Sequence, residues 1–150
     1  MAQKRYSVIC NDAGGAAPQT LANIIGSTAV RPRVYEWNLG CSAAPADQAA
    51  LIVLARTTAV GTAGSSPTPA PLDNQEVAAV STAGIAHSAE PTFTSPFLFQ
   101  VPLNQRASWR WVAAPDSEFI GAATASNGLG LKRHTSTASY AATGVVLFFE

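Results

Sequence analysis

Along much of this chain, hydrophobic and polar residues alternate one by one, which is the side-chain period of a β-strand. In residues 106–113, Trp109 and Trp111 fall on one side of the chain, and Arg106 and Arg110 fall on the other. This pattern predicts a strand with one apolar face. Alternating or short apolar segments also predict strands at residues 6–10, 21–27, 33–39, 97–103, 118–121 and 129–133.

Aromatic residues occupy the apolar side of several predicted strands. The alternation in residues 33–39 places Tyr35 and Trp37 on one face, and residues 97–103 carry a similar one-sided row. Much of the apolar composition is alanine, which buries little surface, so the core depends on the large side chains. We expect the core to contain Trp37, Trp109, Trp111, Phe97 and Phe99.

Two runs are apolar on both sides of the chain: LIVLA at residues 51–55 and VVLFF at residues 145–149. A strand of this kind is covered on both faces, or its outer face meets another subunit. With these two, the chain has about eight or nine short strands separated by Gly, Pro, Ser and Asn. This is typical of an all-β sandwich or barrel, and residues 1–150 fit a single domain.

Between residues 61 and 96 the chain carries little strand pattern and begins with a Gly-, Pro- and Ser-rich stretch. We interpret this segment as a long loop or interaction arm. One short helix is predicted inside it, from Asp73 to Ser81, because Asp73 can cap a helix and Glu76 follows three residues later.

The charge is low and balanced. Charged residues are 12% of the sequence, and nine basic residues offset nine acidic ones, so the formal net charge is zero. No basic excess is available to neutralise a phosphate backbone, which argues against direct nucleic-acid binding. A weakly charged surface instead favours association between protein copies.

No segment reaches the roughly 18 apolar residues that span a membrane, and the first residues lack the hydrophobic stretch of a signal peptide. We therefore expect no membrane association. Cys10 and Cys41 form no metal-binding motif, and we interpret them as reduced thiols.

Recognisable catalytic motifs are lacking in the sequence. His87 and His134 lie among polar residues without neighbouring carboxylates or cysteines, which favours solvated loops. Asp116 and Glu118 could form a carboxylate pair, but a turn followed by an edge strand explains them more simply. A cupin-like metal enzyme needs more ligands than two histidines. We expect no enzyme activity, cofactor or metal.

The aromatic and arginine residues leave two interpretations open. Trp109, Trp111, Tyr35 or Tyr140 could form a stacking platform for a glycan, although flanking alanines favour a core position for the two indoles. Arginines on the opposite face would then point to solvent or to a partner, where they bind carboxylates well. The candidate interface arginines are Arg31, Arg33, Arg56, Arg106 and Arg110.

Several short phrases from about Trp37 to the C-terminus carry a family resemblance. They include Trp37-Asn38-Leu39, Arg56-Thr57-Thr58, Pro69-Ala70-Pro71, Leu103-Asn104-Gln105-Arg106 and Trp109-Arg110-Trp111-Val112. In these phrases the chain resembles the capsid decoration proteins of tailed bacteriophages, which are also called cement or auxiliary head proteins.

The resemblance implies a jelly-roll-like antiparallel β-sandwich that forms a homotrimer and binds between major capsid protein subunits, stabilising the phage head. The protein would then be made in the host cytoplasm and reside on the capsid exterior. Minor tail or fibre components are an alternative location, and a glycan-binding module is an alternative function. In the arm, Gly61, Thr62, Pro69 and Pro71 join the candidate interface.

Overall fold

The computed structural model describes residues 3–12, 14–15, 17–43, 45–136 and 140–150, and for residue 136 only the backbone. These residues form an all-β structure without a helix, so none of them belongs to a helix that could span a membrane. The strands are β1 (Arg5–Asp12), β2 (Gln19–Ile25), β3 (Arg33–Ala43), β4 (Ala49–Ala59), β5 (Ala70–Pro71), β6 (Thr82–Gly84), β7 (Thr92–Phe93), β8 (Phe99–Asn104), β9 (Trp109–Val112), β10 (Phe119–Ile120), β11 (Gly128–Ser136) and β12 (Ala141–Phe149).

Two antiparallel sheets of six strands face each other. Sheet A has the order β5-β1-β12-β3. Strands β9 and β10 both pair with β3, along the edge that faces away from β12. Sheet B has the order β6-β2-β11-β4. Strands β7 and β8 both pair with β4, along the edge that faces away from β11. The two sheets follow the same pairing scheme: β1 pairs with β12 in sheet A, and β2 pairs with β11 in sheet B.

The chain crosses between the sheets at both edges of the sandwich. On one side, residues 72–81 run from β5 in sheet A to β6 in sheet B, and we call this segment the strap. On the other side, the turn after β8 leads into β9. Each edge of the sandwich is therefore crossed by a short connection.

All nine strands predicted from the hydrophobic pattern are present. The inner faces of both sheets share one hydrophobic core, and Trp37 at its centre is fully buried. The Trp37 ring meets the rings of Trp109 and Phe99 edge-on, at centroid distances of 4.5 and 6.0 Å. Trp109, Trp111 and Phe99 are partly buried and pack against this core from the β8–β9 edge.

The sequence interpretation of Tyr35 is wrong, since Tyr35 and Trp37 lie on opposite faces of sheet A. Phe148 pairs with Val34 and Leu147 pairs with Glu36, so Tyr35 has no partner in β12. This extra residue is a β-bulge, which shifts the alternation by one and turns Tyr35 outward. Its ring packs against Phe149 on the outer side of the sheet, at 5.8 Å.

Phe97 also departs from the predicted one-sided row. Strand β8 begins only at Phe99, so the alternation does not extend back to residue 97. The Phe97 ring instead packs edge-on against His134, at 5.0 Å, and lies 5.9 Å from the Lys132 ammonium group. Phe97 therefore covers the outer face of sheet B and does not join the central core.

The predicted helix at residues 73–81 is also wrong, because the structure has a turn and an extended strap there. Asp73 does cap its own turn: its side chain accepts a hydrogen bond from Gln75 N, at 2.9 Å, and its carbonyl oxygen accepts one from Glu76 N. Beyond that turn, the backbone groups have tertiary partners. Val80 N and Ser81 N donate to the Glu150 carboxylate, and the Tyr6 hydroxyl donates to the Val77 carbonyl.

The predicted arm of residues 61–96 lies against both sheets. It contributes β5 to β1, β6 to β2 and β7 to β4, each strand being two or three residues long. Its two legs also pair with each other through bridges between Thr62 and Ala89 and between Ser65 and Ile85. The backbone hydrogen bonds of this segment thus depend on partners that lie far away in the sequence.

A buried arginine closes one end of the sandwich. The Arg133 side chain is fully buried, and its Nη2 lies 2.8 Å from the Asp12 carboxylate. Nη1 donates to the Tyr140 carbonyl, while Nη2 donates to the Gly15 carbonyl and to Gln19 Oε1. One guanidinium on β11 thereby holds together the end of β1, the start of β2 and the residue before β12.

We predict that Trp37→Ala lowers the free energy of unfolding by roughly 3–5 kcal/mol, because the substitution leaves a large cavity in the core. Chemical denaturation followed by fluorescence of the remaining tryptophans measures this cost. Val112→Ala, at a site that is 49% exposed, is the control and should change stability by less than about 0.5 kcal/mol. A cost below about 1 kcal/mol for Trp37→Ala would contradict the prediction.

We predict that Arg133→Met costs about 3–5 kcal/mol of stability, because it leaves the Asp12 carboxylate buried without its ion-pair partner. The double variant with Asp12→Asn should recover part of this loss, since no unpaired charge remains. Arg106→Met, at an exposed turn residue, is the matched control. Equal stabilities for Arg133→Met and this control in urea denaturation would show that the Arg133 side chain contributes little to the free energy of unfolding.

Candidate interaction surfaces

Potential metal ligands and the two thiols are the first candidates for a reactive site among the described residues. The part of the chain that the structure describes contains no group of three or more His, Cys, Asp or Glu side chains that could hold a metal ion. Cys10 is buried and Cys41 partly buried, and both are free thiols. Burial raises the pKa of the Cys10 thiol to about 12, so this sulfur stays protonated and unreactive at neutral pH. The surfaces of the two sheets are therefore the candidate functional features.

The outer face of sheet B is covered by the chain itself. Within the two-sided run of β4, Ile52 and Leu54 point into the core, while Val53 and Ala55 lie on the outer side and are also buried. Phe93 packs over Gly130 so closely that a methyl group on this glycine would lie 2.6 Å from the ring. Within residues 86–97, the side chains of Phe93 and Phe97 thus form a partial third layer on the outer face of sheet B.

A polar cluster joins this third layer to sheet B. Thr20 donates to the Glu90 carboxylate from both its backbone nitrogen and its hydroxyl. The Lys132 ammonium group lies 4.0 Å from the centroid of the Phe93 ring, a cation–π contact. Burial lowers the pKa of Lys132, and the Glu90 carboxylate opposes that shift. The layer is therefore held by buried polar contacts as well as by apolar packing.

The histidines lie under or beside the same layer. The His87 ring is half-buried. Burial lowers the pKa of His87, and the Glu90 carboxylate and the carbonyls of Val60 and Thr20 partly oppose this. Burial and the nearby Lys132 also lower the pKa of His134. The expected solvated loops are thus partly buried positions.

No such layer is formed on the outer face of sheet A by the part of the chain that the structure describes. Ile9, on β1, is 62% exposed, and Val112, on β9, is 49% exposed. Val145 and Leu147, on β12 between them, are partly exposed. This face is the surface that the two-sided run at residues 145–149 leaves uncovered.

The strap adds a second apolar surface at the β5 edge of sheet A. Leu72, Val77 and Val80 are each exposed by half or slightly more. With Ile9 and Val112, they are the large aliphatic side chains most exposed among the described residues, and all five lie on sheet A or on its edge. Exposed apolar side chains gathered on one side of a protein are typical of a protein-binding site.

The sequence had not singled out these aliphatic residues. For Ile9 the alternation was a detectable signal. Tyr6, Val8 and Cys10 lie in the core, and Ile9 falls on the opposite side of the same strand. The strap residues had none, since their exposure depends on where the strap crosses the edge.

The candidate interface arginines are distributed over the whole molecule. Arg110 is exposed and forms an ion pair with Glu36, at 2.7 Å, on the outer face of sheet A. Arg31 donates to the Gly121 carbonyl, and the Arg33 guanidinium lies 5.8 Å from the Phe149 ring. Arg56, on β4, and Arg106, in the turn before β9, are exposed. Arg33 and Arg110 thus lie on the outer face of sheet A, Arg33 beside Phe149 and Arg110 beside Glu36.

The candidate interface residues of the arm also separate. Gly61 adopts a φ of 70°, which favours glycine, and packs against the backbone of residues 89–91. Thr62 bridges to Ala89. Pro69 is buried within its own chain, whereas Pro71 is exposed in β5. Among the four, Pro71 is the one next to the apolar strap.

The four aromatic residues considered as a glycan platform do not form one surface. Trp109 and Trp111 face the core, and Tyr140 is 3% exposed with its ring against Arg133. Tyr35 alone among them faces outward.

Comparison with protein-family models, with curated proteins and with solved structures gives no match to this chain.

We predict that the protein is less stable at pH 5.5 than at pH 7.5. The folded-state pKa of His87 lies below its ordinary value of 6.5, so the unfolded chain binds the proton first as the pH falls. Stability is therefore lost as the pH drops from above 6.5 towards the folded-state value. Thermal unfolding at the two pH values measures the difference.

His87→Gln should make this pH dependence smaller, because glutamine does not titrate. His134→Gln should remove a separate share, since the pKa of His134 is shifted in the same direction. If His87→Gln keeps the full pH dependence of the parent protein, the half-buried imidazole is not its source.

Proposed function

We propose that this protein is a structural virion protein, a capsid decoration protein that associates with copies of itself and binds between major capsid protein subunits to stabilise a phage head. The observation that carries the proposal is the contrast between the two sheets. Sheet B is covered by the protein's own chain, whereas sheet A and its edge expose five large aliphatic side chains. The open side of sheet A would be the binding side.

The strand order supports the jelly-roll form of the sandwich. In a jelly roll, the first and last strands are neighbours in one sheet, and the second and penultimate strands are neighbours in the other. The pairs β1–β12 and β2–β11 follow this scheme, with β3 and β4 next in each sheet. Jelly rolls are common among viral capsid proteins, and the fold by itself does not define a function.

The energetics favour many weak contacts. Burying an exposed Ile or Val side chain contributes about 1.5–3 kcal/mol, and part of this is offset by the loss of motional freedom on binding. A single copy would therefore bind a shell weakly. Copies joined to one another would bind tightly, because the second and third contacts become intramolecular. A net charge of zero allows such copies to approach without mutual repulsion.

Light scattering coupled to size-exclusion chromatography tests self-association, and co-sedimentation with empty phage shells assembled from purified major capsid protein tests the partner. The proposal expects an oligomer, with a homotrimer as the specific expectation, that sediments with the shells. A monomer that stays in the supernatant would overturn it. Binding to purified tails but not to shells would instead place the protein among the tail or fibre components.

We predict that Ile9→Glu weakens shell binding at least tenfold, because a charge replaces an aliphatic side chain at the centre of the open face. The co-sedimentation assay measures the affinity. Gln100→Glu is the matched control: it adds the same charge at an exposed position on β8 in sheet B and should bind as the parent does. Equal affinities for the two variants would show that the binding surface lies elsewhere.

A further inference from the structure

A cavity of about 330 Å³ lies on the outer side of sheet A, where β3 begins and β12 ends. The rings of Tyr35 and Phe149 lie next to each other on its wall, 5.8 Å apart. Pro115, in the turn after β9, forms another part of the wall. The cavity is large enough for one small ring-shaped ligand, since ligand pockets begin at roughly 300 Å³.

Tyr35 reaches this cavity because of the β-bulge in β3. In a regular strand only one of two neighbouring residues faces outward. The extra residue allows Tyr35 and Glu36 both to face outward while Val34 and Trp37 are buried. The bulge is held in place from the other side, where Ala113 N donates to the Tyr35 carbonyl at 2.7 Å. Bulges often re-aim a side chain at a functional site, and here the re-aimed side chain is the aromatic wall of a cavity.

Two opposite charges line the same cavity without neutralising each other. Arg5 is on β1, directly across from Phe149, and Glu118 immediately precedes β10. Neither takes part in the ion pairs that the described residues form, which are Lys4–Glu76, Arg110–Glu36 and Arg133–Asp12. The Gln3 amide and the Tyr35 hydroxyl add polar groups that can donate or accept.

The chemistry of the lining restricts the ligand. Glu118 disfavours an anion such as phosphate, Arg5 disfavours a cation, and the polar groups disfavour a wholly apolar ligand. A neutral ring with hydroxyl groups satisfies all of them, since its hydroxyls can donate to the carboxylate and accept from the guanidinium while its C–H face lies on an aromatic ring. We propose that this cavity is a binding site for one neutral pyranose unit of a glycan.

A zwitterionic amino acid also carries one group for each charge. However, Arg5 is exposed and Glu118 only partly buried, so water screens both ion pairs and each contributes little. Recognition at such an open site depends on ring packing and on several neutral hydrogen bonds, which a pyranose provides. The site does not depend on the proposed capsid function, because it lies within one copy of the chain.

Saturation-transfer NMR on the purified protein tests the site. The probes are the methyl glycosides of glucose, galactose and mannose, together with N-acetylglucosamine, and L-phenylalanine as the zwitterionic comparison. We expect at least one sugar to receive saturation and to bind in the millimolar range. No transfer to any of the four sugars, or transfer to phenylalanine alone, would overturn the proposal.

Variants then locate the binding. Tyr35→Ala should weaken sugar binding at least tenfold, and Tyr35→Phe should retain the ring contact and most of the affinity. Glu118→Gln keeps the shape of the side chain and removes its charge, so it should weaken binding several-fold without unfolding the protein. Arg5→Ala is paired with Arg106→Ala, another exposed arginine outside the cavity. Binding that survives Tyr35→Ala and Glu118→Gln unchanged would show that the sugar binds elsewhere.

Failure here is separate from failure of the capsid proposal. The sugar assay uses the protein alone, and Tyr35 and Glu118 lie outside the group of exposed aliphatic residues on which shell binding is argued. A protein that binds shells but no sugar would retain the first proposal and lose the second, and the reverse outcome is equally distinguishable.

Discussion

The buried Arg133–Asp12 ion pair constrains how the two sheets can close on each other. A charge removed from water must be paired and hydrogen-bonded, or the folded state is strongly destabilised. Arg133, on β11, finds its acceptors only where the end of β1, the start of β2 and the residue before β12 come together. Burial raises the pKa of Asp12, whereas the Gly14 amide and Arg133 favour its charged form. These four strands form the central pairs of the two sheets, β1–β12 and β2–β11. The Arg133–Asp12 ion pair therefore specifies one arrangement of the sandwich.

With the sandwich closed, the two outer faces are treated differently. The chain between β6 and β8 folds back over sheet B, where Glu90, Lys132 and Phe93 hold it through polar and cation–π contacts. No described segment returns over sheet A, so its aliphatic residues stay in contact with water. An apolar face that the chain leaves open is costly for an isolated protein, and it is stabilised when a partner covers it. This asymmetry supports a protein that acts by binding.

Local pattern predicted the strands well because alternation and short apolar runs report directly on burial. It failed where one residue changes the phase. The bulge at Tyr35 reverses the alternation in β3, and β8 begins two residues later than the row containing Phe97 suggests. Neither event has a signature in composition. At residues 73–81, the sequence predicted that Asp73 caps a helix, whereas it caps only a turn. The carboxylate of Glu150, distant in sequence, supplies the backbone partners that a helix would have supplied internally.

The sequence by itself determined the all-β class, the positions of the nine predicted strands and the central place of Trp37, because these follow from the local alternation of side chains. Only the tertiary structure decided which surfaces are exposed. Val53 and Val145 look alike in two similar apolar runs, yet Val53 is buried and Val145 is partly exposed on the open face. Burial of an outer face depends on where distant segments pack, and likewise the cavity beside Tyr35 exists because β1, β3, β12 and the residues before β10 meet there.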